Sequence, residues 1–482
     1  MKTQKDIEEI KRLRDEEGHD PNYKNINYRD KISTVGTDGK RVYIYPKKPK
    51  GKFTTWRNIV GFVLMLMLVA FPLIKFHGEP LVMINFLERK FIIFGAIFWP
   101  QDTFIMMLMM VSFLVFILLF TATLGRIFCG WLCPQTIFLE LIFRRIEFWI
   151  DGDGHKQRKL AEQPWNAEKI RKRLLKWTIF YIISFALVNI MLWYFMGFDK
   201  WMRYAHEMDK HISGITLIFI FTTVFFGIYA WFREQICLIA CPYGRMQGVL
   251  IDPSTIVISY DYLRGEPRGH MRKGEDREEA GKGDCIDCHA CVDVCPTGID
   301  IRNGTQLECV NCTACIDACD AVMDRIGKPR GLIRYASENE IKSGEKQKIS
   351  IRTIAYSIVL LSILTFFVYT LATREPVEAV LLHTPGILYQ EQPNDTIRNL
   401  YNIKAINKTR EPKEISLKLL NKKGSISIMG GNIKLDGEQR KESVVFINLA
   451  KKDIKAKKTK VDVGIYSQGE MIDKTTVTFI AP

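Results

Sequence analysis

The chain has 482 residues, of which 47% are hydrophobic and 25% charged, and its formal net charge is +15. This length leaves room for several domains. Because the Lys and Arg residues flank long apolar stretches, their distribution is typical of a membrane protein and argues against nucleic acid as the partner.

Residues 1–57 begin with a charged run and show little periodicity. No apolar core of the kind found in a cleavable signal peptide occurs in the first residues, so we expect none to be removed. This segment is predicted to be a cytoplasmic tail, and membrane insertion then relies on the first apolar stretch.

A helical bundle with about five spans is predicted because five predominantly apolar stretches approach the roughly 20 residues that cross a bilayer as a helix. They are residues 58–76, 103–124, 177–198, 212–232 and 351–373. The apolar stretch 91–101 is too short to span and contains Pro100, which indicates a re-entrant or interfacial piece. Segment 125–176 is rich in Lys and Arg, whereas segment 200–211 is poor in them, so the former is expected to be cytoplasmic.

The hairpin region, residues 58–250, contains a repeated motif, Cys129-x3-Cys133-Pro134 and Cys237-x3-Cys241-Pro242. A spacing of four predicts that the two sulfurs of each pair lie on one helix face, one turn apart. There they could share a soft metal or close a disulfide after modest movement. The proline after each pair favours a turn that presents the thiols.

Nearby arginines are expected to lower the pKa of these thiols, namely Arg126, Arg233 and Arg245. Free cysteines also serve as packing residues. The repetition of the motif favours a shared site over packing alone.

Residues 251–350 contain two cysteine runs, each of the form C-x2-C-x2-C-x3-C. Such spacing is typical of a bacterial ferredoxin with two [4Fe–4S] clusters, in which the fourth cysteine of each run serves the other cluster. The first cluster is assigned Cys285, Cys288, Cys291 and Cys319, and the second Cys309, Cys312, Cys315 and Cys295. A zinc site needs only four thiolates and would leave the other cysteines without a role.

Residues 374–482 consist of short runs with period-two alternation, separated by glycines. This pattern predicts a small antiparallel sandwich of the size of an immunoglobulin-like domain. With an odd number of spans, the tail and the cluster segment lie in the cytoplasm and this domain in the periplasm. The fold class is therefore a multidomain membrane protein: an α-helical bundle, an α+β ferredoxin-like segment and an all-β domain.

In this order of hairpins, C-x3-C-P motifs, eight cluster cysteines and sandwich, the chain resembles the FixG/RdxA/CcoG family of cytochrome oxidase accessory proteins. The resemblance implies a multi-pass protein of the bacterial inner membrane that reduces Cu(II) to Cu(I) for cbb3-type cytochrome c oxidase. It places copper, as substrate, at Cys129, Cys133, Cys237 and Cys241. The implied partners are a copper-transporting ATPase, a copper chaperone or the oxidase subunits.

Two other functions remain open at this point. A quinol dehydrogenase of the NapH or NosR kind is similar through the hairpins and cluster motifs, but the last domain fits it poorly. A non-enzymatic assembly scaffold would use the sandwich to hold an oxidase subunit. The electron donor is either a cytosolic reductant or a membrane quinol.

Overall fold

The computed structural model describes residues 33–482, except 37, 208–211, 273–274, 278, 346–349, 385–387, 393–394, 410, 438, 455 and 468. The first 32 residues of the predicted tail therefore lie outside the described part. Contacts divide the chain into two compact units, Met1–Leu364 and Thr365–Pro482.

The helices longer than one turn are named here in chain order. They are α1 Lys52–Leu73, α2 Thr103–Leu124, α3 Ile127–Ile150, α4 Gly154–Glu162, α5 Ala167–Met196, α6 Phe198–His206, α7 Ile212–Phe232, α8 Pro242–Leu250, α9 Ala314–Arg325, α10 Glu338–Ser343 and α11 Ile351–Ala372. Single helical turns occur at Pro100–Asp102, Ile236–Ala240, Tyr262–Gly265, Ala290–Asp293, Ile301–Asn303 and Lys451–Asp453.

Within the described residues, six of these helices are long and apolar enough to cross a bilayer: α1, α2, α3, α5, α7 and α11. Helix α3 was not among the predicted spans, because Pro134 and its charged residues interrupt the apolar run. Near its start, a Cβ on Gly130 would lie 2.5 Å from the Val310 carbonyl oxygen of the cluster segment.

The other end of α3 lies against the tail. Asp153 accepts a hydrogen bond from the Lys48 amide at 2.8 Å. The neighbouring Lys47 amide donates to the Asp293 carbonyl in the cluster segment at 2.7 Å. Both ends of α3 are therefore in contact with the cluster segment, one directly and the other through the tail.

The stretch predicted as a re-entrant or interfacial piece forms strands, so the re-entrant part of that prediction is wrong. After a two-stranded hairpin, β1 Lys75–Phe76 and β2 Glu79–Pro80, comes an antiparallel sheet of β3 Val82–Asn85, β4 Lys90–Ile93 and β5 Ala96–Phe98. These strands are too short for alternation to be visible in the sequence. The buried apolar residues of this sheet are Met83, Ile92, Ile97 and Phe98.

The cluster segment is built on a short antiparallel pair, β6 Val257–Tyr260 and β7 Ile333–Ala336, which packs with α9. Its core is formed by buried Ile258, Met323, Leu332 and Ile333. Burial of these side chains holds the two cysteine runs in place, since residues 285–289 and 309–313, which carry the first two cysteines of each run, are loop.

The second unit is a two-sheet antiparallel sandwich. One sheet has the order β12-β14-β10-β8, with β9 paired to β10, and the other has the order β13-β11-β15-β16. The strands are β8 Val377–His383, β9 Gln390–Gln392, β10 Thr396–Asn407, β11 Lys413–Leu419, β12 Gly424–Ile428, β13 Ile433–Leu435, β14 Arg440–Ala450, β15 Lys458–Ser467 and β16 Glu470–Ile480. Alternating apolar residues such as Ile403, Ile447 and Ile465 meet between the sheets. This architecture confirms the predicted all-β domain.

Candidate functional site

The eight cysteines of the cluster segment surround two adjacent cavities. One has a volume of about 350 Å³ and is lined by Cys285, Cys288, Cys291 and Cys319. The other has a volume of about 330 Å³, and Cys295, Cys309, Cys312 and Cys315 lie in its wall together with Cys291. The structure therefore brings together the same two sets of four that the interleaved spacing assigns. Four thiols around a cavity whose remaining lining is mostly apolar fit a cubane iron–sulfur cluster.

The cysteine loops wrap around these cavities through backbone conformations with positive φ. In the first run, Asp287 and His289 have φ of 53° and 55°, and in the second, Asn311 and Thr313 have φ of 53° and 67°. Each pair flanks the second cysteine of its run. A β-branched residue such as Thr313 is strained in this region, and strain of this kind is concentrated at functional sites.

The fourth cysteines of the two runs differ in their surroundings. Pro296 follows Cys295, and the preceding helical turn ends at Asp293. Asp320 follows Cys319, and α9 continues through both residues to Arg325. The carboxylate of Asp320 instead accepts a hydrogen bond from the Gly331 amide at 3.0 Å. The departure from proline thus lengthens the helix without removing the thiol from its cavity.

Burial raises the pKa of the Cys309 thiol to about 12 and that of Cys312 to about 11, and nearby thiols act in the same direction. The guanidinium of Arg57 opposes this rise at Cys312. These thiols are therefore protonated when no cluster is bound. Metal ligation by cysteine requires the thiolate, so cluster binding releases protons.

The two C-x3-C-P motifs do not form the single helical face predicted for them. Cys133 and Cys241 have extended conformations, with ψ of 123° and 112°, and each is the N-cap of a helix that begins with proline. The residue before a proline avoids the helical region, and proline is favoured at the first helical position. Cys133 thus lies at a break within α3, between its segments Ile127–Trp131 and Pro134–Ile137. Cys241 lies at the corresponding break between the turn Ile236–Ala240 and α8.

Each motif contacts the helix that follows the proline of the other motif. The Cys129 thiol donates a hydrogen bond to Gln247 Oε1 in α8 at 3.1 Å. In the reciprocal direction, the Thr136 side chain hydrogen-bonds Cys237. Electrostatic interactions link Cys237 with the other three thiols, and Cys129 with Cys133 and Cys241. The structure therefore gathers the four thiols, named here the thiol quartet, in one place.

The expected lowering of thiol pKa by arginines is wrong for Cys237. Burial, followed by the neighbouring thiols, raises its pKa to about 12. Arg233 is paired with carboxylates, since its Nη1 donates to Glu147 Oε1 at 2.9 Å and its Nε lies 3.5 Å from Glu234. Arg126 donates to the carbonyl oxygens of Leu307 and Gly244 and lowers the pKa of Cys129, but burial outweighs it and raises that pKa to about 12.

The thiol quartet adjoins the second of the two cysteine cavities. Cys129 packs against Val310, Cys312 and Ala314. Arg57 Nε donates to the Gly130 carbonyl at 2.8 Å and also interacts electrostatically with Cys312. Among the described residues, however, no three His, Cys, Asp or Glu side chains are arranged to hold a single metal ion. Mononuclear copper binding would therefore need the thiols to approach one another.

Several residues of this site were missed by the sequence reasoning. Gln247 and Thr136 join the motifs across the repeat, and Arg302 lines the first cavity while bonding Asp300, Asp287 and His289. Tyr229 is buried within electrostatic range of Cys133 and Cys237. Of these residues, only Thr136 lies next to a motif in the sequence, two residues after Pro134, and so only Thr136 could have been suspected from the sequence.

Comparison with known proteins adds to this description. A family described as "4Fe-4S dicluster domain" matches residues 232–338, one described as "4Fe-4S binding domain" matches residues 106–153, and one described as "IG-like fold at C-terminal of FixG" matches residues 367–482. Protein RdxB of Cereibacter sphaeroides is 35% identical over 395 residues, which cover 78% of this chain and 82% of RdxB.

Two further relatives match over similar lengths. Protein RdxA of the same organism is 34% identical over 410 residues, covering 82% of this chain and 86% of RdxA. Nitrogen fixation protein FixG of Rhizobium meliloti is 32% identical over 440 residues, covering 83% of each chain.

Proposed function

The chain belongs to the FixG/RdxA family, and on that premise we propose that this iron–sulfur electron-transfer protein reduces Cu(II) to Cu(I) during assembly of cbb3-type cytochrome c oxidase. The observation that carries the proposal is the convergence of the thiol quartet next to the second cysteine cavity. Thiolates are soft ligands that favour Cu(I), so a sulfur site beside an electron-transfer centre suits this reduction.

In this proposal, Cys285, Cys288, Cys291 and Cys319 hold one [4Fe–4S] cluster and Cys295, Cys309, Cys312 and Cys315 hold the other. When bound, such clusters store and pass single electrons. The mostly apolar lining of both cavities limits the access of water, which influences the potential of a cluster. Cys288 is the exposed member of its set.

The thiol quartet has two ways of reducing copper. Copper could bind to the thiols and receive an electron there. Alternatively, two Cu(II) ions oxidise a pair of thiols, which gives two Cu(I) ions, one disulfide and two protons, and the disulfide is then reduced again. Both routes use sulfur from Cys129, Cys133, Cys237 and Cys241, and both need movement because the described residues form no ready mononuclear site.

We further propose a topology with five crossings in the bacterial inner membrane. It places the tail and the cluster segment in the cytoplasm and residues 374–482 in the periplasm. The Lys and Arg content of segment 125–176 supports this orientation. The position of both ends of α3 against the cluster segment or its tail supports an odd number of crossings. A copper-transporting ATPase, a copper chaperone or oxidase subunits would then receive the Cu(I).

The test is anaerobic reduction of Cu(II) by the purified protein, with dithionite as donor and a Cu(I)-specific chelator as reporter. Replacing all four quartet cysteines by serine should abolish copper reduction. The electron paramagnetic resonance (EPR) signals of both reduced clusters should persist in that variant. If the fourfold variant reduces Cu(II) at the wild-type rate, the site assignment is wrong.

Metal analysis separates this proposal from a second use of the quartet. The match of residues 106–153 to a family described as "4Fe-4S binding domain" raises the alternative that the quartet holds a third cluster. Two clusters correspond to about eight iron atoms per chain and three to about twelve.

Deleting residues 375–482 tests the scaffold alternative. A reductase without this domain should still reduce Cu(II), whereas a scaffold that holds its partner through this domain should fail.

A further inference from the structure

A third cavity, larger than the two cysteine cavities, lies between α3, α5, α7 and the tail. Its volume is about 1370 Å³. Its lining combines aromatic side chains, among them Trp177, Phe226 and Trp231, with charged side chains of both signs, which are Glu147, Asp151, Arg173, Lys176 and Arg233. Trp177 and Trp231 are 43% and 66% exposed, so the cavity is open to the surroundings of the bundle at these two side chains.

Two of the charged side chains, Glu147 and Asp151, each have a buried oxygen atom with no hydrogen-bond donor within the described part of the chain. Glu147 and Asp151 are only 5% and 6% exposed. One oxygen of each is paired, Glu147 Oε1 with Arg233 and Asp151 Oδ2 with Lys176. Glu147 Oε2 and Asp151 Oδ1 have no partner, and neither has the Nε of Arg173, which also lines the cavity. Buried polar atoms are rarely left unpaired in folded proteins, so these atoms point to a polar ligand.

The cavity is joined to the thiol quartet by packed aromatic rings. Phe180 lines the cavity, and its ring centroid lies 4.8 Å from that of Phe143. The ring of Phe143 stacks on that of Tyr229 at 4.3 Å with an interplanar angle of 8°. Tyr229 interacts electrostatically with Cys133 and Cys237. A ligand in the cavity is therefore connected to the quartet through three consecutive rings.

We propose that this cavity binds a membrane quinol, which is the electron donor of the protein. The flat ring of the quinol fits among the aromatic side chains. Its apolar tail extends past the exposed Trp177 and Trp231 to the surroundings of the bundle. The two hydroxyl groups donate to Glu147 Oε2 and Asp151 Oδ1. After oxidation, a quinone carbonyl can accept a hydrogen bond from Arg173 Nε. The phosphate of a phospholipid only accepts hydrogen bonds, so it would leave Glu147 Oε2 and Asp151 Oδ1 without a donor, which makes it a poorer fit.

The role as donor rests on the proposed copper reduction. One quinol loses two electrons and two protons as its two O–H bonds break and two C=O bonds form. The electrons reduce two Cu(II) ions to two Cu(I) ions. The protons pass to the free carboxylate oxygens and then to water. The binding of the quinol ring does not depend on copper, so the two proposals can fail separately.

Gly227 offers a way to fill the cavity without disturbing the backbone. It lines the cavity, and a Cβ at this position would meet no atom within 4 Å. Gly214 in the same helix also has nothing within 4 Å of a Cβ but does not line the cavity. Gly227→Leu is therefore the test variant and Gly214→Leu the matched control.

The measurement is equilibrium binding of decylubiquinone to the full-length chain in phosphatidylcholine nanodiscs. Wild type and Gly214→Leu should bind alike, whereas Gly227→Leu should weaken binding about tenfold or more. Iron content and thermal melting check that the variants are folded. Asp151→Asn, which keeps the side-chain volume, should slow oxidation of decylubiquinol.

Equal affinity of all three proteins, as expected if phospholipid occupies the cavity, would overturn the inference, and so would a wild type that does not bind. Dithionite-driven reduction of Cu(II) bypasses the quinol. If that reduction fails while Gly227 still controls quinone binding, the proposed function is wrong and the quinol site stands. If dithionite-driven reduction of Cu(II) succeeds but the wild type does not bind quinone, the proposed function stands and the quinol site is wrong.

Discussion

The substitution Gly130→Ala tests the close approach between the first C-x3-C-P motif and the loop of the second cysteine run. An alanine Cβ would lie 2.5 Å from the Val310 carbonyl oxygen and 2.7 Å from that of Asn311, whereas ordinary contact begins at 3.4 Å. The two segments would therefore have to separate by about 0.9 Å. Both obstacles are backbone atoms, so no side-chain rotation can relieve the overlap.

The sign of the change in the free energy of unfolding shows whether the helix preference of alanine or the overpacking of the contact dominates. Gly130 lies within a helical turn, where replacing glycine by alanine stabilises by about 0.5–1 kcal/mol if space allows. Overpacking of a tight contact costs about 1–3 kcal/mol. We therefore expect a net destabilisation of about 1–2 kcal/mol, with a changed EPR signal of the second cluster only.

Thermal melting, followed by cluster absorbance of the full chain in detergent, measures this effect. With about 2.1 cal/mol/K of unfolding entropy per residue, 1 kcal/mol corresponds to about 1 °C of melting temperature for a chain of this length. Gly214→Ala is the control, since its Cβ meets nothing within 4 Å and its melting temperature should not fall. A Gly130→Ala protein that melts at or above the wild-type temperature with both EPR signals unchanged would refute the close contact.

The remaining predictions concern single side chains. Asp317→Ala should destabilise the protein by about 2 kcal/mol in the same melting assay, because Asp317 accepts hydrogen bonds from the Phe53 and Thr54 amides and so caps α1; Asp324→Ala, an exposed control in α9, should have little effect. Arg302→Gln removes a buried positive charge beside the first cavity and should lower the reduction potential of that cluster alone, as measured by EPR-monitored titration. Cys319→Ser should alter the EPR signal of the first cluster and Cys295→Ser that of the second; the reverse pattern would contradict the interleaved assignment.

The parts that the sequence predicted correctly depend on short-range spacing. The cysteine runs and the strand alternation after residue 374 are local patterns that tertiary context does not override. The break at Cys133 and Cys241 was also readable, because a residue before proline avoids the helical region. The prediction of one continuous helical face ignored that restriction and gave too much weight to the four-residue spacing.

The parts that the sequence did not predict depend on contacts between distant residues. Cys129 and Gln247 are 118 positions apart, and no local pattern links them. The pairing of Arg233 with Glu147 spans 86 positions, and burial rather than this arginine dominates the pKa of Cys237. The strands between residues 82 and 98 were not predicted for another reason, because runs of three or four residues are too short to show a period.

The capping of α1 by Asp317 has a consequence for biosynthesis. The bond joins residues 264 positions apart. At a synthesis rate of about 5–20 residues per second, roughly 13–50 s separate the ribosome's addition of Phe53 from that of Asp317. The first helix therefore enters the lipid with its leading amides still hydrated by water. Its final anchoring then becomes a late checkpoint in maturation, reached only after the iron-binding loops have been translated and folded.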